Sequence, residues 1–339
     1  MKLINIRRML YLMPLMILSG CEETNPQQQD TVSFYVQAKP QAKAIVEDTG
    51  SLINMNLPLY VTEDGTGTSF TATELQHTSN GVWRSSINWE PRQYNFYAYI
   101  KSSTNLYDKG ILSITNNGRS VTVTQPSNYS ANPEYYADYL LSYRVSADGK
   151  NKPLVQFEME RITTSVELYM TAAPNMSSVR LKKAEFQNIF RSAQYNIIYH
   201  AASTDPDVNG LKNTWAVNVD QRQKTTYTLN HSNNPIELKK FDEAKGRFAS
   251  EYKIMSFLTV QQSLLDNQNA LLNLTYEVEE NGKPVEYEAS FDLGKYDVKS
   301  WAVGHKIRYY VSVDTSVELQ GSIEPWKTVE SIEGTFLPK

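Results

Sequence analysis

The chain has 339 residues, a formal net charge of −4, a single cysteine and 40% hydrophobic residues. The mild acidic balance argues against a nucleic-acid partner, and one cysteine excludes a disulfide framework, leaving folding to a core that a chain of this length can bury unaided. The 22 tyrosines outnumber 11 phenylalanines and 5 tryptophans, a bias that suits strands with one face toward water.

In chain order, Lys2, Arg7 and Arg8 form a positive leader and Met9 to Leu18 is apolar apart from its tyrosine and proline. That run is too short to span a bilayer, which takes roughly 20 apolar residues, and it fits the apolar region of a secretory signal. Ser19 and Gly20 then precede Cys21, the only cysteine. Leu18-Ser19-Gly20-Cys21 resembles a bacterial lipobox. The resemblance implies that 1–20 is a lipoprotein signal peptide and that Cys21 is lipidated and becomes the first mature residue. Glu22 and Glu23 are similar to the acidic surface-export signals of Bacteroidetes lipoproteins. Residues 22–30, EETNPQQQD, have no apolar face and read as a tether.

The rest reads as strands. Val32, Phe34 and Val36 alternate with Ser33, Tyr35 and Gln37. Tyr94 to Ile100 carries bulky groups at both parities, as a central strand does. Val121 and Val123 form a further set, as do Val155, Phe157 and Met159, then Val166, Leu168 and Met170, and later Ile307, Tyr309, Val311 and Val313. The clearest hairpin joins Leu272, Leu274, Tyr276 and Val278 to Val285, Tyr287, Ala289, Phe291 and Leu293 through Asn281-Gly282. Helix is scarce; 260–272 has room for a turn or two. The polar stretch 146–153 is either a hairpin loop or a boundary, and the boundary divides the chain into parts of ordinary domain size. The expected fold is all-β, with N-terminal (44–150) and C-terminal (151–339) sandwiches.

No chemistry is legible. His77, His200, His231 and His305 lack metal-ligand spacing. Gly65-Thr66-Gly67 lacks the third glycine of a phosphate loop, and 205–210 lacks the downstream glutamate of a calcium loop. Scattered Asp and Glu leave a glycosidase pair open, because sequence spacing does not report distance. The expectation is a non-enzyme without cofactor or metal.

Four segments, taken in order, resemble the fimbrillin family, the lipoprotein pilins of Bacteroidetes type V fimbriae. They are Phe34-Tyr35-Val36 leading to Ala42-Lys43-Ala44; Gly81-Val82-Trp83, Trp89 and Tyr94 to Tyr99; Asp138-Tyr139-Leu140-Leu141 with the strands at Val155 and Val166; and Trp301, Gly304, Ile307, Tyr309, Ile323 and Trp326. The chain departs from the family at Met159, where members often carry histidine.

The resemblance implies two transthyretin-like antiparallel β-sandwich domains in tandem and a structural role as a fimbrial (pilus) subunit. It implies an outer-membrane lipid-anchored precursor whose mature form stands in cell-surface fimbriae. A trypsin-like protease would remove the lipidated segment 21–43, and a strand from another fimbrillin subunit would fill the groove. Lys43 is the expected cleavage site, since Pro40 protects Lys39. The tail after Trp326, with Val329, Ile332 and Phe336, is the expected donor. A host or bacterial surface ligand is a further partner class. The alternative is a cell-surface glycan-binding lipoprotein, for which Trp83, Trp89, Trp215, Trp301 and Trp326 are the stacking candidates.

Overall fold

A computed structural model describes residues 31–38, 59–64, 76–77, 82–102, 111–115, 120–131, 135–142, 145–198, 214–218, 223–265, 269–314 and 317–325. Cys21, Lys43, the loops at 65–67 and 205–210, and the tail from Trp326 lie outside these. The strands in chain order are β1 Thr31–Ala38, β2 Leu59–Asp64, β3 Gln76–His77, β4 Val82–Asn88, β5 Gln93–Ser102, β6 Ile111–Thr115, β7 Ser120–Thr124 and β8 Asp138–Ser142. They continue with β9 Val145–Asp148, β10 Val155–Arg161, β11 Thr163–Ala172, β12 Val179–Phe190, β13 Ser192–Ile198, β14 Thr214–Asn218, β15 Lys224–Asn230 and β16 Ile236–Glu237. The last are β17 Lys253–Val260, β18 Gln262–Ser263, β19 Leu271–Glu280, β20 Lys283–Asp292, β21 Ser300–Trp301, β22 His305–Val313 and β23 Val317–Pro325. The fold is all-β, as the alternation predicts. The described part of 260–272 forms strand and bend rather than helix.

An eight-stranded sheet runs β2-β5-β8-β10-β1-β4-β3, with β9 also on β5. Three ladder steps separate β5 from β1, about 14 Å in a flat sheet at ~4.8 Å per step. Yet the Phe34 and Phe96 rings are 5.3 Å apart. The sheet therefore curls until β1 and β4 face β5, closing around Val32, Phe34, Trp83, Trp89, Tyr94, Phe96, Phe157 and Met159. β5 is central, with Tyr94 and Phe96 in this core and Tyr97 and Tyr99 buried on its other face. That second face packs on a four-stranded sheet, β14-β13-β7-β6, through Val121, Val123, Tyr139 and Tyr195.

The polar stretch 146–153 begins inside β9 and leads through a short turn at Gly149–Asn151 toward β10, and both strands belong to the eight-stranded sheet. β13 and β14, also C-terminal to residue 150, extend the β6–β7 pair. The largest core lies between two further sheets, β17-β11-β22-β23 and β15-β12-β19-β20. Trp301 is central to it, its Nε1 donating to the Tyr309 hydroxyl at 2.9 Å. In the β19–β20 hairpin Leu272 opposes Phe291 and Tyr276 opposes Tyr287. Asn281 and Gly282 take the positive φ values, 50° and 74°, that its two-residue turn requires. Phe291 and Leu293 are buried as the pattern predicts, whereas Val285 and Tyr287 are each 37% exposed because edge strand β20 overhangs the core there.

Candidate functional site at the first strand

β1 is the first described element, and it lies inside its sheet rather than at an edge. It pairs parallel with β10, Phe34 opposite Val155, and antiparallel with β4, Phe34 opposite Trp83. A segment about 120 residues away supplies one neighbour, so nothing in the local sequence reports this position. Val32 and Phe34 are fully buried. The Phe34 ring stacks on Phe157 at 5.6 Å and 12°, and meets Phe96 edge-on at 5.3 Å and 86°. Phe96 in turn stacks on Tyr94 at 5.4 Å and meets Trp89 at 6.0 Å. Phe34 thus completes a chain of aromatic rings, each contact worth about 0.5–1.5 kcal/mol beyond area burial.

The two walls of this slot are held differently. β10 is fixed on its far side by β8, with Met159 opposite Ser142 and Arg161 opposite Leu140. Its last residue, Arg161, is fully buried and donates from Nε to both Asp138 oxygens, at 2.9 and 2.8 Å. The Thr163 hydroxyl of β11 also donates to Asp138. Among the described residues, β4 has on its far side the two-residue strand β3, and its Trp83, like Trp89 just after it, is buried in the core. A cleft of about 490 Å³ opens beside Thr31 and Ser33, lined also by Trp89, Lys150, Lys152 and Leu154.

Other candidates from the sequence do not converge. Trp83, Trp89 and Trp301 are 3%, 8% and 0% exposed, so these three are core residues rather than stacking platforms. Trp326 lies outside the described residues, as do His200 and the side chain of Trp215. His305 caps a turn, its Nδ1 2.7 Å from the Val303 carbonyl oxygen. Among the described residues no group of three His, Cys, Asp or Glu gathers as metal ligands do.

Sequence reasoning missed a buried glutamate. Glu167, on the outer face of β11, accepts from the Tyr169 hydroxyl at 2.8 Å and faces Arg308 at 3.3 Å, Lys253 at 3.4 Å and Lys306 at 4.0 Å. Burial pushes its carboxyl up, but Lys306, the Tyr169 hydroxyl, Lys253 and Arg308 outweigh this and hold it below the usual range. Alternation shows a polar residue here. What buries this face, Phe241, Phe248 and Tyr252 packed beside Tyr169 and Tyr310, comes from a distant irregular segment.

No protein-family profile matches the chain, and no curated protein matches it. Solved structures do resemble it over most of its length. A candidate cell adhesion protein from Bacteroides uniformis is 13% identical, covers 88% of this chain and 98% of its own, and superposes with a TM-score of 0.47. A fimbrial assembly protein from Parabacteroides distasonis is 10% identical, with coverages of 87% and 98% and a TM-score of 0.38. The fimbrial anchor protein Mfa2 from Porphyromonas gingivalis is 12% identical, with coverages of 88% and 98% and a TM-score of 0.37.

Proposed function

We propose that this chain is a structural subunit of a cell-surface fimbria. It is exported as a lipoprotein anchored through Cys21, opened by a trypsin-like protease that cuts after Lys43, and joined to another subunit by a strand that takes the place of β1. The observation that carries this reading is the seat of β1. A strand directly after a polar tether occupies an interior sheet position, with an apolar face in the core and a ladder on both sides. Its loss would expose two unpaired edges and an apolar slot at once, and a replacing strand satisfies both together. Arg161 and Asp138 support the same reading, since they hold the β10 wall by contacts that do not involve β1. In this reading the first sandwich runs on through β10 rather than stopping at residue 150; the pairing of β10 with β1 and β8 supports that.

Limited trypsin treatment of the chain starting at Glu22 tests it. The expected result is loss of the mass of 22–43, a core that stays folded, and block of the cut by Lys43→Ala. A first strand that stays bound after complete cutting at Lys43 and resists displacement by excess free strand would contradict it.

A further inference from the structure

We infer that the acidic segment Glu22 to Asp30 docks on the cleft beside β1 and acts as a latch on that strand. The cleft is lined by Thr31 and Ser33 of β1 and by Lys150 and Lys152 of the turn after β9. That turn is held in place. The Asp148 carboxylate accepts from the Lys150 N–H at 3.0 Å, and the Gly149 N–H donates to the Arg92 carbonyl at 2.8 Å. Gly149 lies so close to residue 90 that a β-carbon there would stand 2.0 Å from the Glu90 carbonyl oxygen. Lys152 closes the turn at φ 45°, a conformation that glycine or asparagine adopts at less cost, so lysine there brings a charge to the cleft against backbone preference. Two carboxylates of this region are already engaged, Glu90 by Arg92 at 3.1 Å and Asp148 by the Lys150 backbone. Among the described residues no carboxylate pairs with the Lys150 ammonium.

Charge and continuity name the occupant. Residues 22–30 carry three carboxylates, Glu22, Glu23 and Asp30, and no cation. Asp30 is joined to Thr31, which lines the cleft. The nine residues span at most about 30 Å, so both glutamates can reach the two lysines, at the roughly millimolar effective concentration of a short tether. Each exposed ion pair contributes at most about fivefold to an equilibrium, which suits a latch that slows the departure of β1 without preventing it. The docking stands apart from the strand-replacement reading above, whereas the latch rests on it.

The test uses the uncut chain from Glu22, as an equal mixture of ordinary and isotope-labelled protein, treated with a zero-length carbodiimide and mapped by mass spectrometry. Such a reagent joins a carboxylate only to an amine in contact with it. The expected links run from Glu22 or Glu23 to Lys150 or Lys152 within one chain, and fall about threefold or more in about 0.5 M salt, where the Debye length is about 4 Å. Links from Asp30 do not count, since its bond to Thr31 keeps it close whatever the rest of the segment does. Glutamates joined only to lysines elsewhere on the chain, or to none, would overturn the docking. Links between a labelled and an unlabelled chain would assign the cleft to a second copy's segment and overturn it as well. The latch is read after trypsin cuts at Lys43, from the rate at which 22–43 is freed. A variant with Glu22→Gln, Glu23→Gln and Asp30→Asn is expected to free it about threefold or more faster; an equal rate overturns the latch. If neither chain frees the strand, the strand-replacement reading fails while the links still decide the docking.

Discussion

Asp138 and Arg161 are a fully buried, bidentate pair at the meeting of β8, β10 and β11. Removing one partner leaves a buried charge without its counterpart, which costs about 3–5 kcal/mol. Arg161→Met is therefore expected to lower the unfolding free energy by roughly that amount in a denaturant titration, and the double variant Asp138→Leu, Arg161→Met to recover part of it. Glu167 gives a prediction in pH. Its folded pKa lies below the ordinary 4.5, so its contribution is fully present above that value and is lost as pH falls through the folded pKa. Glu167→Gln is expected to cost about 1–3 kcal/mol near neutrality, with the difference from wild type shrinking in acid. A difference that grows on acidification would reverse the assigned sign. Only the strand position of Glu167 was visible beforehand. Its three cations come from β17 and β22, and its cover from the segment around Phe248.

At the scale of elements, β1 is both a structural strand and the piece proposed to leave. Phe34→Ala is expected to destabilise the fold by about 3–5 kcal/mol, as for other buried aromatic truncations. It should also speed release of the first strand after cutting, which quantifying the freed peptide by mass spectrometry would show. Gly282→Ala, at φ 74°, should lower the melting temperature through about 1 kcal/mol of backbone strain. The hairpin was legible because it is local: period-two alternation fixes the faces and Asn-Gly fixes the turn. The strand character of β1 was legible for the same reason. Its neighbours were not, since the pairing with β10 closes a loop of more than a hundred residues. The same limit applies to β13 and β14, which return to β7, and to the stretch 146–153, whose composition suits a boundary but which starts within β9 and leads to β10 of the same sheet. Val285 and Tyr287 carry core-like alternation on an edge that extends past the core. Local alternation sets which way a side chain points, and the length of the facing element decides whether anything meets it.

At the scale of the whole molecule, the single cysteine leaves no internal disulfide to hold the fold. Lipid on Cys21 is proposed for attachment, so Cys21→Ala is expected to lose fatty-acid label and membrane association while melting as wild type does. The asymmetry of the slot also matters at this scale. Among the described residues, β10 is tied to β8, whose Asp138 also accepts from Thr163 of β11, whereas β4 pairs with β1 and a two-residue strand. Opening should therefore loosen β4 first, raising amide exchange at 82–88 while 155–161 stays protected. The central claim is that β1 is removed before this chain enters a surface fibre. The most direct measurement is the N-terminal residue of the chain recovered from fibres sheared off the producing cells, read by mass spectrometry. The account predicts a chain beginning at Ala44, with a Lys43→Ala variant retained at the membrane and absent from the fibres. A fibre-borne chain that still begins at Cys21 and keeps Thr31–Ala38 would contradict it.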